Sequence, residues 1–316
     1  MGLLENGVWR DKARKPSAEG AFDRTESQLR NWIRSDGSTA FAPESGRYHL
    51  YVSYACPWAH RTLIFRALKG LRDHVGVSVV SPLMLENGWE FTPWEGATED
   101  HVNGFTYMHQ VYTANQPDYT GRVSVPVLWD KKTGGIVNNE SSEIIRMFNS
   151  AFDDLTGSAD DFYPEDLRNE IDLVNARVYE TVNNGVYRSG FATTQEAYDE
   201  AVTALFDTLD WLEDRLGQQR YLAGDRITEA DWRLFPTLIR FDHVYHGHFK
   251  CNVRRLVDYP NLFAHTRELY QWPSVAETVN MAHIRWHYYY SHPHVNPTRV
   301  VSAGPDIDFD APHGRG

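Results

Sequence analysis

The sequence predicts an α/β layer in the first half of the chain and an all-helical second half. Three observations carry that division. Up to about residue 150, short β-prone runs alternate with helical stretches. From Glu165 onward the apolar residues recur at helical spacing instead. Between them, residues 150–163 are polar and small and read as a linker.

Residues 1–47 form an extension rich in Gly, Ser and charge, in which Phe22, Leu29, Trp32 and Ile33 are spaced for a short helical anchor. Tyr48-His49-Leu50-Tyr51-Val52-Ser53 alternates as a half-buried strand does. Leu63, Ile64, Ala67, Leu68 and Leu71 then recur at helical spacing, with Gly70 where a helix could stop. Gly76-Val77-Ser78-Val79-Val80-Ser81 reads as a second strand. Residues 82–121 have weak periodicity and many Gly, Pro and aromatics, which predicts a long loop with one short helix; loops of that length are often functional. In the next run, 123–130, Pro126 marks a strand start or a cis bond, because proline is awkward inside a strand. Lys131-Lys132-Thr133-Gly134-Gly135 is a hairpin turn and Ile136-Val137 the returning strand. Asn139-Glu140-Ser141-Ser142 before Ile144, Ile145, Met147 and Phe148 is a capped helix start. This order of elements fits a thioredoxin-like domain over 48–150.

In the helical domain, 164–290, Leu167, Ile171, Val174, Val178 and Val182 line one face, which Gly185 closes. Val202, Leu205, Leu209, Leu212 and Leu216 line another, with Gly217 after them. Thr228 is an N-cap, Asp231 the capping-box acid, and Ile227 and Trp232 a hydrophobic staple. Two more helical stretches fall around 229–243 and 274–289, and the tail, 291–316, reads as irregular.

Composition narrows the function. The 316 residues allow two domains with real cores, and 41% hydrophobic with 23% charged residues is ordinary for a soluble protein. No apolar run approaches the ~18 residues of a membrane span. The N-terminus lacks the apolar core of a secretory signal. Two cysteines in so long a chain fit a reducing cytoplasm. A formal charge of −12 disfavours nucleic acid and anionic membrane as partners.

Cys56-Pro57 stands in the turn between the first strand of the layer and its helix. Pro57 suits the first helical position, where a missing N–H costs nothing. A cysteine there faces the positive end of the helix dipole, which lowers its pKa from the ordinary ~8.5 toward neutrality. The alternative is a buried structural cysteine. A dithiol redox site has the form C-x-x-C, and here Ala59 stands at the fourth position, while Cys251 is far away in sequence. A resolving thiol would therefore come from solution, and glutathione is the abundant intracellular candidate.

The thioredoxin-like layer followed by a helical domain resembles the cytosolic glutathione transferases. A sharper resemblance is to the glutathionyl-hydroquinone reductases, their xi class. It is carried by Cys56-Pro57-Trp58-Ala59-His60-Arg61, Asn87-Gly88-Trp89, Arg122-Val123-Ser124-Val125-Pro126-Val127-Leu128-Trp129-Asp130, Asn138-Asn139-Glu140-Ser141-Ser142-Glu143-Ile144, Asn184-Gly185-Val186-Tyr187, and His287-Tyr288-Tyr289 with Ser291-His292. These span roughly 48–305, with no departure at a functional position, though Tyr290 takes no role from the resemblance. What the resemblance implies is glutathione-dependent reduction of glutathionyl-hydroquinones by a cytoplasmic homodimer. Cys56 would be the nucleophile, Tyr187 a proton donor or acceptor, and Tyr245 and Tyr288 hydrogen-bond donors to the Cys56 thiolate. Trp89 would cover glutathione, and Arg122, Val123, Ser124 and Val125 would supply charge and backbone contacts. Glu140 and Ser141 would hold the γ-glutamyl end, which suits a carboxylate and the N–H groups of a helix start.

Without the resemblance, tyrosines near helix ends more often pack than catalyse, Trp89 could be core, and Glu140-Ser141 is an ordinary cap. His243, His246 and His248, and His283 with His287, have spacings that zinc sites use. No H-E-x-x-H or Cys-His framework accompanies them, so no metal is expected. Two other functions remain open: a conjugating glutathione transferase, which a cysteine at position 56 disfavours, and a non-catalytic binding protein of the same fold.

Overall fold

The computed structural model describes residues 2–12, 17, 19–22 and 24–316. The chain gathers into two units, one of Met1–Arg14, Thr25–Asp160 and Glu277–His287, the other of Lys15–Arg24, Asp161–Ala276 and Tyr288–Gly316.

In the first unit, β1 (Leu3–Glu5) and β2 (Val8–Arg10) form a hairpin closed by Asn6 and Gly7, both at positive φ (49° and 75°). Asn-Gly is the pair that tolerates such a turn. The expected helical anchor is absent: the described residues among 19–47 are extended or turns, with Ile33 bridged to Phe41 and Arg30 to Asn138.

β3 (Tyr48–Val52) leads to α1 (Pro57–Leu68) and then to β4 (Val75–Val79), parallel to β3. Gly70, at φ +66°, follows the end of α1 as expected. α2 (Met108–Asn115) is the short helix of the long loop. β5 (Gly121–Arg122) pairs with β1. After the cis Val125–Pro126 bond, β6 (Val127–Asp130) and β7 (Gly135–Asn138) complete a four-stranded sheet of order β4-β3-β6-β7. α3 (Ser141–Ser150) packs on α1.

The half-buried reading of β3 is corrected, since all five of its residues are buried. It is an inner strand, and its polar tips find partners inside. Tyr48 donates to the Ala42 carbonyl at 2.7 Å, His49 Nε2 meets Ser78 Oγ at 2.8 Å, and Tyr51 donates to Asp100 at 2.8 Å. The stretch read as a linker also holds structure: α4 (Asp153–Thr156) follows Phe152, which is buried against Tyr48 and Phe148.

In the second unit, α5 (Arg168–Val178) runs into a π-helical turn, Tyr179–Asn183, and then α6 (Gly185–Phe191). Gly185 therefore opens a helix and does not close one. α7 (Gln195–Gln218) buries Val202, Leu205, Leu209, Leu212 and Leu216, at roughly 2 kcal/mol for each fully buried leucine; Gly217 lies within it. α8 (Glu229–Leu238) starts with the predicted capping box: Thr228 N–H donates to Asp231 at 2.9 Å, and the Thr228 hydroxyl accepts from Ala230. A second π turn, Phe241–Tyr245, follows. α9 (Pro260–Tyr270) was not anticipated, although proline at its first position is a start signal. α10 (Met281–Ser291) begins seven residues later than expected, its residues through His287 counting with the first unit and those from Tyr288 with the second.

Candidate active site

Chain order alone puts Cys56 at a helix start. The backbone leaves β3, turns with Cys56 N–H on the Ser53 carbonyl (3.1 Å), and makes Cys56 the N-cap of α1 at φ −76°, ψ 120°. The Cys56 carbonyl accepts the first helical bond, from His60 N–H at 3.0 Å. Pro57 contributes no N–H, and the first turn holds no acidic residue that would oppose a thiolate. The thiol is half-buried and points to the Val125 carbonyl at 3.4 Å.

The residues expected to bind glutathione belong to the same unit as Cys56. Tyr112, fully buried in α2, ties the Arg122–Val125 segment down: its hydroxyl donates to the Ser124 carbonyl (3.1 Å) and accepts from Ser124 N–H (3.3 Å) and Asn139 Nδ2 (3.2 Å). Burial pushes the Tyr112 phenol up, so it remains neutral and can do both. Asn139 precedes Glu140, the N-cap of α3. Burial raises the Glu140 carboxyl, but the backbone and hydroxyl of Ser142, the charge of Arg61 and the hydroxyl of Ser27 outweigh it and hold the group below its ordinary value. Glu140 is thus a carboxylate beside the buried N1 residue Ser141. Arg61 itself is buried, 4.6 Å from the Trp58 ring. Arg122 and Val123 are half-buried, and desolvation lowers the Arg122 pKa without discharging it.

Trp89 is buried, which fits a core residue as well as a cover. Its indole stacks on His287 with centroids 4.7 Å apart at 21°. His287 Nδ1 donates to the Pro82 carbonyl at 2.9 Å, which fixes the tautomer.

The three tyrosines singled out in the sequence come together in the second unit. Tyr187 and Tyr288 hydroxyls meet at 2.5 Å, and those of Tyr245 and Tyr288 at 3.0 Å. All three side chains are buried. Burial drives the Tyr245 and Tyr288 phenols well above their ordinary value, and the Tyr187 hydroxyl adds to this. They are neutral phenols able to donate. Phe249 stacks on Tyr245 (5.6 Å, 21°) and stands edge-on to Tyr288 (5.5 Å). Phe22 and Arg24 also reach Tyr187, with the guanidinium 5.3 Å from its ring and Nε donating to Asn184 at 2.8 Å.

Sequence reasoning missed Tyr112, Ser27, Arg24 and Phe249. Tyr112 sits inside a stretch without clear periodicity, Ser27 and Arg24 meet Glu140 and Asn184 more than 100 residues away, and Phe249 meets Tyr187 from 62 residues away. Among the described residues, no group of three His, Cys, Asp or Glu side chains could hold a metal ion, and no helix is long and apolar enough to cross a membrane.

Comparison with known proteins gives the family. Residues 55–151 match the family described as Glutathione S-transferase, N-terminal domain, and 195–268 its C-terminal domain. Glutathionyl-hydroquinone reductase PcpF of Sphingobium chlorophenolicum is 58% identical, over 96% of this chain and 96% of its own. Glutathionyl-hydroquinone reductase YqjG of Escherichia coli K12 is 55% identical over 100% of this chain and 98% of its own. The glutathione-bound structure of YqjG matches with a TM-score of 0.92 at 54% identity over 99% of both chains. The Xi Class GST from Natrialba magadii matches with a TM-score of 0.94 at 53% identity, over 100% of this chain and 96% of its own. With both domains matched and more than half of its residues shared along its whole length, the chain belongs to the xi class of glutathione S-transferases, the family of the glutathionyl-hydroquinone reductases.

Proposed function

We propose that this enzyme reduces glutathionyl-hydroquinones to hydroquinones with glutathione, using Cys56 as the nucleophile. The observation that carries the reading is a half-buried thiol at the N-cap of α1 with Ala59 where a second cysteine would stand. The Cys56 thiolate attacks the glutathionyl sulfur. The carbon–sulfur bond breaks, and its electron pair stays on the aryl carbon, which takes a proton. That carbon is a poor leaving group until protonated, and the tyrosine cluster is the proton source, with Tyr187 as donor. Cys56 is left in a mixed disulfide with glutathione. A second glutathione thiolate attacks the glutathionyl sulfur of that disulfide, forming oxidised glutathione and returning the Cys56 thiolate. The sum is one glutathione thioether and one glutathione giving hydroquinone and glutathione disulfide.

Glutathione binds through Glu140 and Ser141 at its γ-glutamyl end and the Val125 backbone at its cysteine. Arg122, Val123 and Ser124 flank it and Trp89 covers it. Tyr245 and Tyr288 donate to the Cys56 thiolate. The protein acts in the cytoplasm as a homodimer, a state that light scattering measures directly.

Glutathionyl-menadione, reduced beforehand to its hydroquinone by ascorbate, with excess glutathione tests the reading. The expected products are menadiol and glutathione disulfide, abolished by Cys56→Ala, with glutathione binding retained. Conjugation of an electrophile such as chlorodinitrobenzene by the wild type, without reduction, would replace this function by the conjugating one. Neither reaction would leave a binding protein.

A further inference from the structure

We infer that the N-terminal hairpin β1–β2 is a positioning element of the glutathione site, with Trp9 as its key residue; this rests on the function proposed above. The hairpin touches two of the three segments that carry the proposed glutathione-binding residues. On one side β1 pairs with β5, Leu3 opposite Arg122 and Leu4 opposite Gly121, and Arg122 Nη1 donates to the Gly2 carbonyl at 3.2 Å. The turn is held to the same stretch by Asn6 N–H on Thr120 Oγ1 (2.8 Å) and Gly7 N–H on the Tyr119 carbonyl (3.0 Å).

On the other side Trp9 reaches the turn before Trp89. Its Nε1 donates to the Glu86 carbonyl at 2.9 Å. Gly88, at φ +75°, closes that turn with its N–H on the Leu85 carbonyl, and its face lies under the indole: a Cβ there would come within 2.8 Å of the Trp9 ring. The indole also stacks on His109 (4.9 Å, 17°), whose other neighbour in the stack is Tyr107 (5.1 Å, 15°). Tyr107 bridges Glu90, and Met108 N–H binds the Trp89 carbonyl at 2.9 Å. The backbone on both sides of Trp89 is therefore referenced to one indole, while the strand beside that indole sets the register of Arg122. These contacts all fall on the segments of Trp89 and Arg122, so loss of the hairpin acts on binding geometry.

Full-length Trp9→Leu, which keeps apolar bulk but loses the stack and the N–H, is compared with Trp9→Phe, which keeps the stack. With glutathionyl-menadione as substrate, Trp9→Leu is expected to raise the KM for glutathione about tenfold. kcat at saturation should stay within about twofold, the signature of lost ground-state positioning. Trp9→Phe should recover most of the affinity. Amide hydrogen exchange at Trp89, Met108 and Arg122 should quicken in Trp9→Leu at an unchanged unfolding midpoint. Unaltered KM and unaltered exchange in Trp9→Leu would overturn the inference while leaving the proposed function standing. A fall in kcat alone would also overturn it. Absence of reductase turnover in the wild type would remove the proposed function itself, whatever Trp9 does, and exchange at those amides would still report on the hairpin.

Discussion

Gly190 offers a steric test of the tyrosine cluster. It lies in α6 three residues after Tyr187, and an added Cβ would fall 2.2, 2.4 and 2.7 Å from Cγ, Cδ1 and Cβ of Phe249. Ordinary carbon contacts are about 3.5–4.0 Å, so something must move by more than about 1 Å. Rotating the ring does not help, because the Phe249 Cβ is itself too close. The backbone carrying Phe249 must shift, and the ring is fully buried among Tyr187, Phe191, Tyr245 and Tyr288 at 5.0–5.6 Å. Overpacking of this kind costs about 1–3 kcal/mol, and with no exit for the ring we expect Gly190→Ala in the upper half of that range. Gly185→Ala is the control on the same helix: its Cβ would meet Leu205 at 3.7 Å, an ordinary contact, so a gain of a few tenths of a kcal/mol from lower unfolded-state entropy is expected. Urea unfolding gives the stabilities, and steady-state turnover of glutathionyl-menadione gives kcat. Gly190→Ala should lower kcat with the KM for glutathione within about twofold, since the phenols move and the glutathione ligands do not. Equal stability and equal kcat for the two variants would refute the reasoning.

Enzyme given one equivalent of glutathionyl-menadione and no glutathione should stop with one glutathionyl group on Cys56 by intact mass; burial holds the Cys251 thiol at about 12, so Cys251→Ser should change neither this adduct nor turnover, and a Cys56–Cys251 disulfide would contradict the one-cysteine cycle. Tyr288→Phe removes the hydroxyl that meets both Tyr187 and Tyr245, and should cost about 1–3 kcal/mol in urea and slow turnover more than it weakens binding; a wild-type midpoint and kcat would count against the cluster. Burial lowers His49 from 6.5 to about 4, so the folded state binds fewer protons than the unfolded one between those values. Its contribution, roughly 3 kcal/mol, is complete above pH 6.5 and lost as pH falls toward 4. His49→Gln should flatten the stability profile in that window, and a profile parallel to wild type would show that His49 is not its source.

The legible parts of the sequence were those whose signal is local. Cys56-Pro57 after a β-prone run, Thr228 with Asp231, and Val125-Pro126 each announce their geometry within four residues. The N-terminal hairpin did not register, although Asn6-Gly7 is a strong turn signal, because three-residue strands show no period and β5, the partner of β1, lies more than 110 residues away. β3 was misjudged because Tyr and His read as half-polar, while their tips are satisfied by Ala42, Ser78 and Asp100. Gly185 reads as a terminator in the sequence because a π turn breaks the 3.6 period just before it. The grouping of Tyr187, Tyr245 and Tyr288 has no local signature, since it depends on how three separate helical segments pack.

Both π turns lie directly upstream of, or at, a tyrosine of that cluster: Tyr179–Asn183 ahead of Tyr187, and Phe241–Tyr245 ending on Tyr245. A wide turn accommodates one residue more than an α-helix would, and each residue of an α-helix advances by 100°. The extra residue thus works as an angular offset. It lets the helix before the turn keep its apolar face inward while the side chains after it are re-aimed by about a quarter of a revolution. Winding Tyr179–Asn183 as regular α-helix with every residue kept would swing the Tyr187 hydroxyl away from Tyr288, with the packing of α5 left in place. The facing of the phenol cluster is therefore set by the winding of the two turns as much as by the identity of the tyrosines themselves.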